Sequence, residues 1–233
     1  AFYLDFVKKG VKASYSASFS YTEISEEWEE KIAGWLKDFK KIAVREYHGV
    51  DILKRMGFDG CWVLDPVFLL PIEKWKEIMT PVNNKEPYLL VYDFESNKEI
   101  ERFCKEYAKK NGLKIYSIND TYPRLYADKN FSSAGPREFL SLIYHCDAFV
   151  SNSFHGTAFS IIFGKPVFVF NRNRHKVNSR MESLTKMFGI EECIVPEGFT
   201  IDKYAEMKFD FEKINNIRVE KLEVSEKFLN ELL

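Results

Sequence analysis

Short apolar runs alternate with stretches of helical periodicity along the chain, most regularly between residues 88 and 170. Tyr88 to Phe94 predicts a strand. Ser96 to Lys110 predicts a helix, with Ser96 three residues before Glu99 as a capping box and Gly112 to end it. Lys114 to Asn119 predicts the next strand, and Pro136, at a first helical position, opens a helix running to Cys146. Ala148 to Ser151 then reads as a strand, Thr157 begins a short apolar helix, and Val167 to Phe170 is a further strand. A helix over Ser179 to Phe188 stops at Gly189.

The first third carries the same alternation less completely. Lys12 to Ser18 predicts a strand running into a loop. Residues 25 to 39 predict a helix: Ser25 caps it, Glu26 and Glu27 suit its positive end, and Trp28, Ile32, Trp35, Leu36 and Phe39 keep helical spacing. Ile42 to Arg45 is a short strand, His48 to Met56 a short helix stopped by Gly57, and Cys61 to Leu64 a strand ending in Asp65-Pro66. Residues 81 to 87, with two prolines, two asparagines and no apolar period, form the best boundary. The tail from Arg218 to Leu233 is amphipathic, with Leu222, Phe228, Leu229 and Leu232 available to dock. Strands alternating with helices of this length imply βαβ units, parallel sheets and helices on both faces. The expected class is therefore α/β. It is divided into a partial lobe over 1–80, a linker over 81–87, a three-layer lobe over 88–215 and a C-terminal helix over 216–233.

Composition narrows the function classes. Apolar residues make up 45% and charged residues 30%, ordinary for a soluble globular chain. With 21 Phe and 12 Tyr the core is expected to be Phe-rich, leaving tyrosines for a sugar or ring-bearing ligand. Net charge is −1 and no long run of one sign occurs, so the footprint of a nucleic-acid binder is missing. The longest apolar helical stretch, Thr157 to Phe163, is stopped by Gly164-Lys165-Pro166 and is far too short for a membrane span. The scattered Cys61, Cys104, Cys146 and Cys193 form no CxxC pair, which favours buried free thiols in a reducing compartment over metal ligation. The chain opens at Ala1 without an initiator Met and reads as a sequence entered partway through a domain. It holds no G-x-S-x-G, HExxH, Walker loop or complete G-x-G-x-x-G.

The most informative stretch is Asp147 to Phe170, where a strand passes through a polar loop into an apolar helix. His155 in that loop stands where open α/β sheets place their ligands, and an imidazole titrating near ~6.5 can give or take a proton at neutral pH. The structural alternative is a histidine that caps the helix or bonds a buried carbonyl. Gly156 permits close approach of backbone and ligand. Ser151, Asn152 and Ser153 could bond a phosphate or sugar hydroxyl, or simply cap the helix. Arg45 at a strand's carboxyl end suits a bidentate hold on carboxylate or phosphate, or an ion pair with Glu46 or a neighbouring helix. Among the basic residues Arg172, Arg174, His175, Lys176 and Arg180, the last is the best anion candidate, against the reading of a solvated face. Asp65-Pro66 reads first as a turn, Gly135-Pro136 as helix punctuation, and His145 and Asp147 as structural.

Several ordered blocks together resemble the polysaccharide pyruvyl transferase family. They are Ser14 to Phe19, Val44-Arg45-Glu46, Leu64 to Leu70, Gly135 to Phe139, Ser151 to Ser160 and Asn178-Ser179-Arg180. The resemblance implies two Rossmann-like lobes facing a cleft, as in GT-B glycosyltransferases, with the first lobe incomplete here. It implies transfer of the enolpyruvyl unit of phosphoenolpyruvate to two hydroxyls of a glycan or glycan precursor, giving a pyruvate ketal. His155 and Arg45 would be catalytic; Asn152, Ser153, Gly156, Thr157 and Arg180 would bind the donor. No metal or organic cofactor is implied, and the partners would be a small-molecule donor and a sugar acceptor in the cytoplasm, with a homo-oligomer left open. The chain departs from the family pattern at Ser153, where better-studied members carry an arginine. The alternatives are a GT-B glycosyltransferase using a nucleotide sugar and a non-catalytic binding module of a glycan pathway.

Overall fold

The computed structural model of the chain describes residues 3–81, 86–119, 122–172 and 178–232. These pack as two compact units. The first comprises 1–69, 175–188 and 215–233, and the second comprises 70–174 and 189–214. The division falls earlier than the expected linker, most of which (82–85) lies outside the described residues. It also returns Ser179–Phe188 and the C-terminal helix to the first unit, rather than leaving them to a lobe over 88–215 and a separate helix.

In the first unit β1 (Lys12–Ala17), α1 (Glu26–Leu36), β2 (Phe39–Val44), α2 (Tyr47–Arg55) and β3 (Gly60–Trp62) alternate, and β1, β2 and β3 form a parallel sheet in that order. Because side chains alternate across a strand, Ile42 and Val44 of β2 pack with Ile32, Leu36 and Leu53 on one face. Ala43 turns to the other face, against Val63 and Phe228. Helix α1 ends before the expected residue 39, since Phe39 already pairs with Lys12 in the sheet.

The second unit contains α3 (Ile72–Glu77), β4 (Tyr88–Tyr92), α4 (Lys98–Asn111), β5 (Lys114–Ile118), β6 (Lys129–Phe131), α5 (Pro136–His145), β7 (Ala148–Ser151), α6 (Phe154–Ile162) and β8 (Val167–Val169). Its five strands are all parallel, in the order β6-β5-β4-β7-β8. Leu89, Val91, Ala148, Val150 and Phe168 face a core shared with Ile100, Phe103 and Tyr107 of α4. The opposite face meets α5 and α6, where Phe139 lies edge-on to Tyr92 and Phe159. After β8 come α7 (Ser179–Phe188), α8 (Ile201–Ala205) and α9 (Phe211–Asn230). In the first unit, Ser225 of α9 is fully buried and its hydroxyl accepts the Leu64 N–H at 3.0 Å.

Three local features differ from the sequence pattern. The cap of α4 is Asn97, whose side chain accepts the Glu99 N–H at 2.8 Å, while Ser96 sits outside the helix with φ 54°. The edge strand β6 escaped the hydrophobic pattern because Lys-Asn-Phe has no apolar run. Helix α6 starts at Phe154, not Thr157, so His155 and Gly156 lie in its first turn rather than in a loop. No helix among the described residues is long and apolar enough to cross a membrane.

Candidate active site

The order of the five-stranded sheet reverses direction between β4 and β7, so the carboxyl ends of these two strands flank a topological switch point. Such points open a crevice because the connections leave to opposite faces of the sheet. The residues that follow β4 and β7 are tied together there. Asn152 donates its amide to Asp93 Oδ1 at 2.8 Å and accepts the Phe94 N–H at 3.1 Å. Asp93, almost fully buried, also accepts the N–H groups of Glu95 at 2.9 Å and Asn97 at 2.7 Å. Arg124, in the connection between β5 and β6, donates to the Asp93 carbonyl and to the Ser96 hydroxyl. A buried carboxylate is tolerable only when its lone pairs are filled, and the donors to Asp93 fill them.

The first turn of α6 rises from this base. Ser153 is its cap, accepting the Gly156 N–H at 3.3 Å, and Thr157 donates its hydroxyl back to the Ser153 carbonyl at 3.0 Å. A Cβ at Gly156 would stand 2.7 Å from the Phe149 ring, so glycine here lets the helix lie directly on β7. The polar side chains Asn152, Ser153 and Thr157 are buried and bonded within the protein, and His155 is the exposed residue of the turn. Arg172, three residues past β8, places its guanidinium 4.4 Å from the centroid of the Phe94 ring.

The first unit has its own constellation at the carboxyl end of its sheet. Arg45 follows β2 and pairs with Asp65, which follows β3, at 2.6 Å. The Glu46 side chain turns inward, with no exposure. Glu46 accepts the Ser18 hydroxyl and the N–H groups of Phe19 and Ser20, at 3.1 and 3.2 Å, pinning the loop after β1. Asp65 also accepts the Val67 N–H at 3.2 Å, so Asp65-Pro66 is both a capped turn and the partner of Arg45. Arg180, in the first turn of α7, is half-buried in this unit. His155 thus belongs to one unit, and Arg45 and Arg180 to the other. Of the basic set, Arg174, His175 and Lys176 lie outside the described residues.

Residues 1–174 match the family described as polysaccharide pyruvyl transferase. The chain belongs to that family. No curated protein matches the sequence. Among solved structures, Arabidopsis thaliana UGT89C1 complexed with quercetin is similar over 95% of this chain and 66% of its own, at 6% identity and a TM-score of 0.51. UDP-GlcNAc 2-epimerase from Neisseria meningitidis, bound to UDP-GlcNAc, is similar over 93% of this chain and 68% of its own, at 14% identity and a TM-score of 0.47. The chain spans about two thirds of the length of each. The likeness to the Arabidopsis protein is one of fold alone: α/β, with parallel sheets flanked by helices.

In this member of the pyruvyl transferase family the supporting residues were harder to read from sequence than the exposed histidine. Asp93, Phe94 and Arg124 carried no motif; the only signal was that Asp93 and Phe94 are the last two residues of a predicted strand. Among the described residues no three His, Cys, Asp or Glu side chains gather as a metal ion would require.

Proposed function

We propose that the protein is a ketal-forming pyruvyl transferase acting on a glycan or glycan precursor, with phosphoenolpyruvate as donor. The observation that carries this reading is the exposed His155 in the first turn of α6, beside the switch point of a parallel sheet, in a chain of this family. In the proposed reaction a proton is added to the methylene carbon of the donor, and positive charge develops at the neighbouring carbon. Two sugar hydroxyls form bonds to that carbon while its bond to the phosphate oxygen breaks. One hydroxyl proton balances the new methyl group and the other leaves on the phosphate. An acid–base group that titrates near neutrality, as imidazole does, suits both transfers, and His155 takes that role.

Arg45, oriented by Asp65, and Arg180 are the positive groups of the first unit suited to a carboxylate or phosphate. Asn152, Ser153, Gly156 and Thr157 serve the donor by fixing the turn that presents His155, since their own polar groups are engaged within the protein. The reading calls for no metal or organic cofactor, because the enol phosphate is itself the activated group. It places the reaction in the cytoplasm, where the donor would be met.

Phosphorus NMR of phosphoenolpyruvate with the whole protein and candidate acceptors tests the reading. Acceptor-dependent phosphate release is expected, slowed about a hundred- to ten-thousandfold by His155→Ala. Wild-type-like turnover in that variant would remove His155 from the mechanism. Turnover of a nucleotide sugar in place of phosphoenolpyruvate would replace the reading with glycosyl transfer.

A further inference from the structure

The sheet register constrains what lies over the end of β7. Tyr92, Ser151 and Val169 stand in one row across β4, β7 and β8. Phe94 is two residues beyond that row on β4, and Arg172 three residues beyond it on β8, with β7 between them. Neighbouring strands are about 4.8 Å apart, so the two backbones are separated by roughly two such spacings. The contact between the Arg172 guanidinium and the Phe94 ring at 4.4 Å therefore bridges the carboxyl end of β7. That end is the Asn152–Ser153 turn from which His155 rises.

Phe94 is a fixed shelf for this contact. Its N–H is held by Asn152, Arg124 holds the carbonyl of the preceding residue, and Tyr92 packs against its ring at 4.6 Å. Phe94 is nevertheless 40% exposed. An isolated phenylalanine exposed at a strand end gains little by itself. One that stacks a guanidinium fixes the plane of its fork.

Resting on the pyruvyl-transfer reading for the identity of the ligand, we infer that Arg172 is an anion-binding residue of the donor site, holding the carboxylate or phosphate of phosphoenolpyruvate beside His155. Ser153 offers no charge at the end of β7, its hydroxyl being the cap of α6. Arg172 brings a cation to the same place from the neighbouring strand. The bridge over β7 also explains why Phe94 tolerates exposure: the ring is one half of the binding device.

The test is calorimetric titration of the whole protein with phosphoenolpyruvate, inorganic phosphate and pyruvate, for the wild type and for Arg172→Gln, Arg172→Lys and Phe94→Leu. Arg172→Gln is expected to weaken phosphoenolpyruvate binding about ten- to hundredfold, as loss of a charge-assisted contact does. Arg172→Lys keeps the charge but loses the stacked fork, and should fall between. Phe94→Leu should weaken binding with the guanidinium still present, which keeps the test valid if one Arg172 variant folds poorly. A loss confined to phosphate assigns Arg172 to the phosphoryl end of the donor, and a loss confined to pyruvate to the carboxylate end. Phosphate binding that depends on Arg172, without phosphoenolpyruvate binding or turnover, would sink the pyruvyl-transfer reading and leave the anion site standing. Turnover of phosphoenolpyruvate with unchanged affinity in Arg172→Gln would sink the anion site and leave the reading standing. Failure of the wild type to bind any of the three probes would also overturn the anion site.

Discussion

A methyl group at position 156 would fall 2.7 and 2.9 Å from two carbons of the Phe149 ring, closer than packed atoms allow. Phe149 is fully buried and has no solvent-side room to retreat into. Gly156→Ala should therefore destabilise the protein by about 1–3 kcal/mol, as overpacked cores do. Urea unfolding measures it, and in a Phe149→Leu background the added cost of the alanine should shrink. Equal cost in both backgrounds would rule out this contact as the reason for the glycine. The sequence marked Gly156 as special but suggested a ligand as the cause. The neighbour that matters is a ring on the preceding strand, met only because α6 folds back over β7. Asn152 shows the same limit. Its side chain is spent on Asp93 and Phe94, a use visible only when strands far apart in sequence are side by side.

Helix starts are set by which side chain can reach the orphan N–H groups of the first turn, a matter of one residue either way. Ahead of α4 both Ser96 and Asn97 qualify by type. The turn tied down by Asp93 puts Ser96 at φ 54° and leaves Asn97 to accept the Glu99 N–H. Asn97→Ala should cost about 1 kcal/mol of stability by removing that bond. Ser96→Ala should leave the cap intact and remove only the contact with Arg124. Thermal unfolding of the two variants compares them, and a larger loss from Ser96→Ala would contradict the capping assignment. Strands and helices with strong apolar periods were legible: Ala148–Ser151 and Ser179–Phe188 have the bounds their patterns predict. Polar β6 was not, because an edge strand is held by backbone pairing with β5 and needs no apolar face.

At the scale of the whole molecule the four free thiols report on both units. Burial pushes Cys146 and Cys193 up to about 12, Cys104 well above its usual value, and Cys61, only partly buried, upward. Unfolded thiols release their protons near pH ~8.5, whereas these folded ones retain them. The unfolded state thus binds fewer protons above that pH, and stability is fully present below it and lost as pH rises. Each buried thiol should lower stability by about 1.4 kcal/mol per pH unit beyond ~8.5. Urea unfolding across pH 8 to 10 measures that slope. In the native protein at pH 8, a thiol reagent should reach Cys61 first, with the other three reacting only on unfolding. Fast labelling of Cys146 in the folded chain would contradict its burial. The alternation of apolar runs, helical periods, glycine stops and caps was enough by itself to determine an α/β chain with parallel sheets, because each signal is local. It also marked His155 and Arg45, which follow β7 and β2 whatever the strand order. Only the tertiary structure decided that β4 lies beside β7, with Asp93 bonded to Asn152 across 59 positions and Arg172 reaching Phe94 over the strand between. Hydrophobic periodicity fixes which face of a strand is buried, but it carries no information about which strand lies alongside, and the surroundings of His155 depend on that lateral order.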